Sequence, residues 1–221
     1  MKNLSEKFYL YLLGKKNHFL KKDEINKYYT DFENLWNLKS NFENIFQVLK
    51  QQKKIIFIFD KVWKILDEEE WFKLKIGKLE KLDILISYLD YLGINWYFGL
   101  SSAKYFQGDW QSLSKLYLIN SKFEKKIKMD NLEINLLKIP EKYYIDLAVK
   151  VQGNKKYSDL EKTYLDEVYF TLKKKYKGPF LDKDKININT LNLYLRVFDD
   201  FKDLRTWILN NVDKDILVKI N

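Results

Sequence analysis

The spacing of apolar residues predicts a helix in residues 40–52. Four large side chains fall at i, i+3, i+4 and i+7, which places them on one helical face: Phe42, Ile45, Phe46 and Leu49. Ser40 and Glu43 have the spacing of a capping box, in which each side chain satisfies a backbone N–H group at the start of a helix. We therefore expect the helix to begin immediately after Ser40.

The pattern after residue 52 is that of two strands. Residues 55–59 and 62–66 are runs of β-branched and aromatic side chains, and Asp60 and Lys61 separate them. Two such runs joined by two residues predict a tight β-hairpin. A short helix followed directly by a hairpin is the second half of a winged helix-turn-helix, in which the helix can enter the major groove of DNA.

The polar face of this predicted helix carries side chains that suit DNA. Asn and Gln amides donate and accept at once, so they pair well with adenine, and lysines attract phosphates. We predict DNA contacts by eight residues: Asn41, Asn44, Gln47, Lys50, Gln51, Lys53, Lys54 and Lys64. The alternative is an ordinary solvated face on a surface helix.

Two earlier helices complete the predicted winged helix domain. The first helix is capped by Ser5, and the second begins at Lys22 or Asp23. Residues 30–39 then form an insert before the third helix. Three helices followed by a hairpin assign residues 1–70 to a winged helix DNA-binding domain.

Residues 71–221 contain both helical and strand-like segments. Strands are predicted at residues 96–98, 116–120, 132–139 and 145–151. Helices are predicted from residue 67, over residues 79–91, after the caps Ser101 and Ser158, and over residues 190–219 beyond the break at Gly178-Pro179. The expected fold class is α+β, with a winged helix-turn-helix followed by a C-terminal domain in which helices cover a small sheet.

The charge balance favours an acidic partner. The formal net charge is +9, which suits double-stranded DNA or an acidic protein. Only Arg196 and Arg205 are arginine among 40 basic residues, so the N-terminal domain lacks the usual reader of guanine. This favours an A·T-rich operator, although an A·T-rich genome would produce the same composition.

The composition gives no sign of an enzyme. The chain has no cysteine, its one histidine is His18, and it has no glycine-rich phosphate loop, so we expect no metal and no cofactor. A nuclease-like set of Glu124, Lys126 and either Asp130 or Asp146 is interpreted as a chance match. Without a signal peptide or a membrane-length apolar run, the protein is expected to be soluble and cytoplasmic.

Two segments resemble the AbiEi antitoxin family. NWYFGLSSAKYFQG, residues 95–108, is similar to its aromatic–Gly-Leu–Ser-Ala–Leu–His-Gly block, and YSDLEKTYLDEVYF, residues 157–170, to its Ser-x-x-Glu-(Arg/Lys)-Thr-x-Leu-Asp block. Gln107 stands where the family often has His, and Lys104 where it often has an apolar or small residue. The matching residues are Tyr97, Gly99, Leu100, Ser102, Ala103, Gly108, Ser158, Glu161, Lys162, Thr163, Leu165 and Asp166.

The resemblance implies a transcriptional regulator from an abortive-infection, phage-defence toxin–antitoxin system. Its winged helix would repress its own operon, and its C-terminal domain would counter a nucleotidyltransferase toxin. A homodimer on inverted repeats is expected from two-fold operator symmetry. The alternative is a protein-interaction module that no longer binds DNA, which the acidic hairpin tip at Asp60 and the absence of arginine from the N-terminal domain favour.

The second block also has a purely structural interpretation. Ser158 and Glu161 have the spacing of a capping box, and Lys162 and Asp166 can form an i,i+4 ion pair. These features predict a folding determinant of the C-terminal domain. Direct contact with a partner is the other interpretation.

Overall fold

The computed structural model describes residues 2–38, 40–108, 115–129, 132–177 and 182–211. The chain divides into two compact units, Met1–Tyr88 and Leu89–Asn221, whereas the sequence placed the domain boundary after residue 70. Helices and sheets occur together, so the predicted mixed α+β class is confirmed. No helix in the described ranges has both the length and the apolar character needed to cross a membrane.

The first unit combines helices with a three-stranded antiparallel sheet in the order β1-β3-β2. Its elements are α1 (Lys2–Leu13), β1 (Phe19–Lys21), α2 (Lys22–Trp36), α3 (Phe42–Gln51), β2 (Ile55–Phe57), β3 (Val62–Ile65) and α4 (Glu68–Lys75). A further helix, α5 (Lys81–Tyr91), spans the division between the units. The predicted helix start at residue 67 is confirmed, because Asp67 and Glu70 form a capping box on α4.

The predicted hairpin is confirmed. β2 and β3 pair antiparallel with Phe57 opposite Trp63, and the Val62 N–H donates to the Phe59 carbonyl at 2.9 Å. Asp60 and Lys61 both have positive φ, at 51° and 64°. Positive φ at both central residues is typical of the type I′ turn, whose twist matches that of paired strands.

Three details of the first unit differ from the sequence expectation. α1 begins before Ser5, whose side chain is buried within the helix rather than capping it. α2 continues through residues 30–36 of the expected insert, because Tyr29 and Phe32 pack into the aromatic core. Strand β1 was not predicted, since three residues carry too short a pattern to recognise.

The second unit contains a six-stranded mixed sheet in the order β6-β7-β5-β4-β9-β8. Its strands are β4 (Trp96–Phe98), β5 (Lys115–Asn120), β6 (Lys125–Met129), β7 (Leu132–Lys138), β8 (Val149–Gln152) and β9 (Lys155–Ser158). Its helices are α6 (Leu100–Phe106), α7 (Leu160–Leu172), α8 (Ile188–Leu195) and α9 (Lys202–Asn211). β4 pairs in parallel with β9, and β5 with β7, while the other pairs are antiparallel.

The strands predicted at 96–98, 116–120 and 132–139 are confirmed, whereas only the end of 145–151 is strand. β6 and β9 were not predicted. The predicted helix over 190–219 is two helices, α8 and α9, as far as the described residues extend. Gly178-Pro179 and residues 212–219 lie outside the described ranges.

Three of the predicted helix caps are wrong by one or two residues. The N-cap of α3 is Asn41, whose side chain accepts from the Glu43 N–H, and not Ser40. The N-cap of α6 is Gly99 rather than Ser101, and that of α7 is Asp159 rather than Ser158. Asn and Asp cap helices as well as Ser does, so the sequence alone does not show which of two neighbouring residues is the N-cap.

Candidate functional site

Helix α3 is fixed in the first unit by its apolar face. Ile45, Phe46 and Leu49 are buried, and the Phe46 ring contacts the Trp63 ring of β3 with centroids 5.0 Å apart. After the helix, Lys53 adopts a left-handed conformation with φ 57°, and the Lys54 N–H donates to the Leu49 carbonyl. This is the geometry that ends a helix sharply and starts the next strand.

The opposite face of α3 is open to solvent. Six of the eight predicted DNA-contacting residues have exposed side chains: Asn41, Asn44, Gln47, Lys50, Gln51 and Lys53. Asn41 is engaged as the helix cap, since its Oδ1 atom accepts from the Glu43 N–H at 2.8 Å. The apolar side of α3 is packed in the core, and the exposed amides and lysines lie on its other side. These side chains can therefore contact one ligand together.

The negative charge of Glu43 on this helix is balanced by a neighbouring lysine. Glu43 Oε2 accepts from Lys22 Nζ at 2.7 Å, and Glu43 Oε1 accepts from Gln47 Nε2 at 2.9 Å. These hydrogen bonds lower the pKa of Glu43, so its carboxylate is ionised at neutral pH. Lys22 therefore offsets the negative charge of Glu43, which would otherwise repel phosphate. The sequence of α3 alone did not reveal this ion pair, because Lys22 belongs to α2.

Lys54 and Lys64 require a correction, because both are buried. Lys54 Nζ forms an ion pair with Glu6, and Lys64 Nζ lies 3.2 Å from Glu70 Oε1. Each ammonium also lies over an aromatic ring. The phosphate-binding role predicted for these two residues is contradicted, since their charges are matched inside the first unit.

The hairpin adds side chains that the sequence did not single out. Lys50 Nζ lies 6.0 Å from the centre of the Trp63 ring, so the exposed face of α3 continues onto β3. Phe57 on β2 is half exposed at 50%. Strand alternation does not explain this exposure, because Ile55 on the same face of β2 and Ile56 on the other face are both buried. At the turn, Asp60 and Lys61 are both exposed and opposite in charge.

The two segments that resemble the AbiEi family, residues 95–108 and 157–170, meet in the interior of the second unit. Lys162 Nζ donates to the Tyr97 hydroxyl at 2.7 Å and to Asp166 Oδ1, and the Tyr97 hydroxyl donates to Asp166 Oδ2 at 2.9 Å. All three side chains are fully buried. The predicted Lys162–Asp166 pair is confirmed, and burial lowers the pKa of Lys162 while raising those of Asp166 and Tyr97.

The remaining residues of the two segments are mostly structural as well. A Cβ atom at Gly99 would come within 2.2 Å of Ile119 Cδ1, so a larger residue there would require the Ile119 side chain to move. Gly108 is exposed with φ +85°. The other side chains are buried: Leu100, Ser102, Ala103, Ser158, Glu161, Thr163 and Leu165. Their burial supports the folding interpretation of the block over direct partner contact.

The two departures from the family pattern have internal partners. Lys104 is buried, and its Nζ atom lies 2.5 Å from Glu167 Oε1. Gln107 Nε2 donates to the Ser158 carbonyl at 2.6 Å, which joins the two segments. Lys104 and Gln107 are therefore held by groups of α7 and β9.

The raised pKa values of several tyrosines predict that alkali destabilises the second unit. Burial raises the pKa of Tyr144 and Tyr164 to about 12 and that of Tyr97 well above its ordinary value of 10. The folded protein favours the neutral phenol, so this stabilisation is complete below pH 10 and is lost as pH rises through the raised pKa values. We expect the helical circular dichroism signal and the absorbance of these tyrosinates to change together above pH 10. Their full ionisation near pH 10 with helices intact would contradict this.

The nuclease-like set is not assembled in the part of the chain that the structure describes. Glu124 Oε2 accepts from Lys175 Nζ, and Asp130 lies outside the described residues. Among the described side chains, no three His, Asp or Glu residues come close enough to hold a metal ion.

No protein-family model matches the sequence, and no curated protein matches it. The assignment to the AbiEi family therefore stays a prediction from the two quoted segments.

Proposed function

We propose that the protein is a DNA-binding transcriptional regulator whose first unit is a winged helix. The order α1-β1-α2-α3-β2-β3 and the sheet order β1-β3-β2 support this proposal, since they place a hairpin directly after the third helix. The observation that carries it is the face of α3 on which Asn44, Gln47, Lys50 and Gln51 are all exposed.

In this proposal, α3 enters the major groove and reads bases through Asn44 and Gln51. Their amides suit adenine, which favours an A·T-rich operator. Lys50 and Lys53 contact phosphates, and Lys22 counters the charge of Glu43. The protein acts without enzymatic chemistry, and a homodimer on inverted repeats represses its own operon.

For the second unit we propose the antitoxin role that the resemblance implies. The buried Tyr97–Lys162–Asp166 cluster supports it only indirectly, by holding the two quoted segments in one core. A nucleotidyltransferase toxin of a phage-defence system is then the proposed partner. The adjacent gene product should co-purify with the protein or be neutralised by its expression.

A second candidate function is a protein-interaction module without DNA binding. An exposed acid favours it, because Asp60 lies at the hairpin turn, and the first unit contains no arginine. Co-purification with an acidic protein in the absence of any DNA complex would select this function.

Base reading by α3 predicts a loss of specificity in the Asn44→Ala variant. Asn44 is exposed, so its replacement should leave the fold intact while removing an amide that can pair with adenine. We expect the affinity for the duplex upstream of the protein's own gene to fall by about 1–3 kcal/mol, with little change for a shuffled duplex. Fluorescence anisotropy at fixed salt measures both affinities.

The matched control is Asn26→Ala, which removes an exposed amide from α2. It should bind both duplexes like the unaltered protein. An equal loss in the two alanine variants, or no preference for the upstream duplex in the unaltered protein, would refute base reading by Asn44.

A further inference from the structure

A half-exposed phenylalanine, Phe57, lies on the hairpin among buried neighbours. Its side chain is 50% exposed, whereas those of Ile55, Ile56, Ile58 and Phe59 are all buried. A single exposed apolar residue is ordinary on a protein surface, so exposure alone assigns no role to it. The position of Phe57 beside α3 is the observation that suggests a role.

Phe57 lies on the face of the hairpin that packs against α3. It is directly opposite Trp63 in the register of β2 and β3, and the two ring centroids are 5.1 Å apart. The Trp63 ring in turn contacts the Phe46 ring of α3, with centroids 5.0 Å apart. Ile55 and Ile65 form the previous cross-strand pair on this face, and both are buried in the core with Phe46. Phe57 therefore lies just beyond the edge of this core, beside the helix.

The other face of the hairpin is packed as well, which holds Phe57 in place. Alternation places Ile56 and Ile58 on that face, and both are buried. The Phe59 ring lies 5.4 Å from the Tyr88 ring of α5, centroid to centroid. The Phe57 ring is thus presented by a strand with packing on both sides, and such a strand fixes the position of a contact residue better than a free loop does.

The surroundings of Phe57 suit a DNA duplex better than an apolar protein surface. Lys50 Nζ lies 6.0 Å from the centre of the Trp63 ring, and the amides of Asn44 and Gln51 are exposed on the same helix. An apolar partner that covered Phe57 would also have to cover polar groups without pairing them, which is unfavourable. A duplex offers these groups phosphate oxygens and base edges.

Thymine is the base that presents an apolar group in the major groove. Its C5-methyl group projects into the groove from every A·T pair, beside the adenine atoms that an Asn or Gln amide can bind. Removing that methyl from water against an aromatic ring is favourable. An aromatic side chain next to an amide-bearing helix would therefore strengthen recognition of the same A·T pairs.

We propose that Phe57 contacts a thymine C5-methyl group of the operator and so contributes to its specificity. This inference rests on the proposed function, in which α3 enters the major groove next to the hairpin. It adds a base contact from the hairpin to those made by α3. The contact is apolar, so unlike those of Lys50 and Lys53 it contributes nothing to the salt dependence of binding.

Replacing thymidine by deoxyuridine in the upstream duplex tests the proposal, because the replacement removes only the methyl group. We expect the unaltered protein to bind the uracil duplex roughly fourfold more weakly for each methyl contacted. In Phe57→Ala most of this difference should disappear, while the slope of log affinity against log salt concentration stays that of the unaltered protein. Fluorescence anisotropy measures these affinities.

Phe72→Ala is the matched control, because Phe72 is 57% exposed on α4 of the same unit. It should keep the preference of the unaltered protein for the thymine duplex. An undiminished preference in a folded Phe57→Ala variant would overturn the proposal. A Phe57→Ala loss of equal size on both duplexes would also overturn it, since the ring would then contact the sugars or lie between base pairs.

Replacement of one thymidine at a time locates the contact without any change to the protein. We expect the unaltered protein to lose affinity at one or two positions of the upstream duplex and not evenly across it. Equal binding of all these duplexes would refute the Phe57 contact alone, provided that Lys50→Glu with Lys53→Glu still weakens binding. An unaltered protein that binds no duplex would refute the proposed function and this contact together.

Discussion

Lys162→Met should destabilise the second unit by about 3–5 kcal/mol, a large part of the stability of an ordinary domain. Among the described residues, the substitution leaves the fully buried Asp166 with only the Tyr97 hydroxyl as a donor. An uncompensated buried carboxylate must either remain charged in the interior or take up a proton, and both are unfavourable. Urea unfolding followed by circular dichroism measures the loss.

Two further variants distinguish the cost of the unpaired Asp166 carboxylate from the cost of removing any lysine. Lys162→Met combined with Asp166→Asn removes both charges and should recover much of the lost stability, because no unpaired charge remains. Lys175→Met removes a lysine whose ion pair with Glu124 is solvent-exposed, and it should cost little. A single Lys162→Met variant as stable as Lys175→Met would show that the cluster does not stabilise the fold.

Reversing the charges of Lys50 and Lys53 should cause the largest loss of DNA affinity. Both lysines are exposed at the end of α3, where they would approach phosphates. We expect Lys50→Glu with Lys53→Glu to weaken binding to the upstream duplex roughly a hundredfold near 0.1 M salt. The slope of log affinity against log salt concentration should decrease by about 0.9 for each phosphate that the variant no longer neutralises.

A control with the same change in net charge tests whether position matters. Lys27→Glu with Lys78→Glu alters two exposed lysines of the first unit that lie outside α3. This variant should keep most of the affinity and the original salt slope. Similar losses in both double variants would mean that net charge, and not the α3 surface, governs binding.

Local pattern was sufficient to predict the elements that build the candidate surface. The period of Phe42, Ile45, Phe46 and Leu49 predicted α3, and its apolar face is packed as expected. The hairpin followed from two apolar runs around a two-residue turn. In both cases the signal lies within a few neighbouring residues, so no knowledge of distant contacts was needed.

Strands β6 and β9 were missed because lysine dominates their sequences. KKIKM alternates over only two apolar residues, Ile127 and Met129, and KKYS has a single large side chain with apolar character, so neither segment shows a pattern long enough to identify a strand. These segments form strands because they pair with neighbouring strands. β6 pairs with β7, and β9 pairs with β4 and β8. Lysine is a common residue on edge strands such as β6, where it discourages further pairing.

The errors in the candidate surface come from ion pairs that the hydrophobic pattern does not reveal. Lys54 is paired with Glu6, 48 residues away in the sequence, and Lys64 with Glu70 on α4. A lysine that belongs to an internal ion pair looks the same in the sequence as one that faces solvent. The pairing of Lys22 with Glu43 was hidden for the same reason, although it favours the proposed function.

Protection of a single thiol on α3 tests the central proposal most directly. The chain has no cysteine, so Asn44→Cys and Thr30→Cys each introduce one exposed thiol, on α3 and α2 respectively. The rate of maleimide labelling is measured with and without the upstream duplex. We predict that the duplex slows labelling of the Asn44→Cys thiol several-fold and leaves the Thr30→Cys thiol unchanged. Equal labelling rates for Asn44→Cys with and without saturating duplex would contradict DNA recognition by α3.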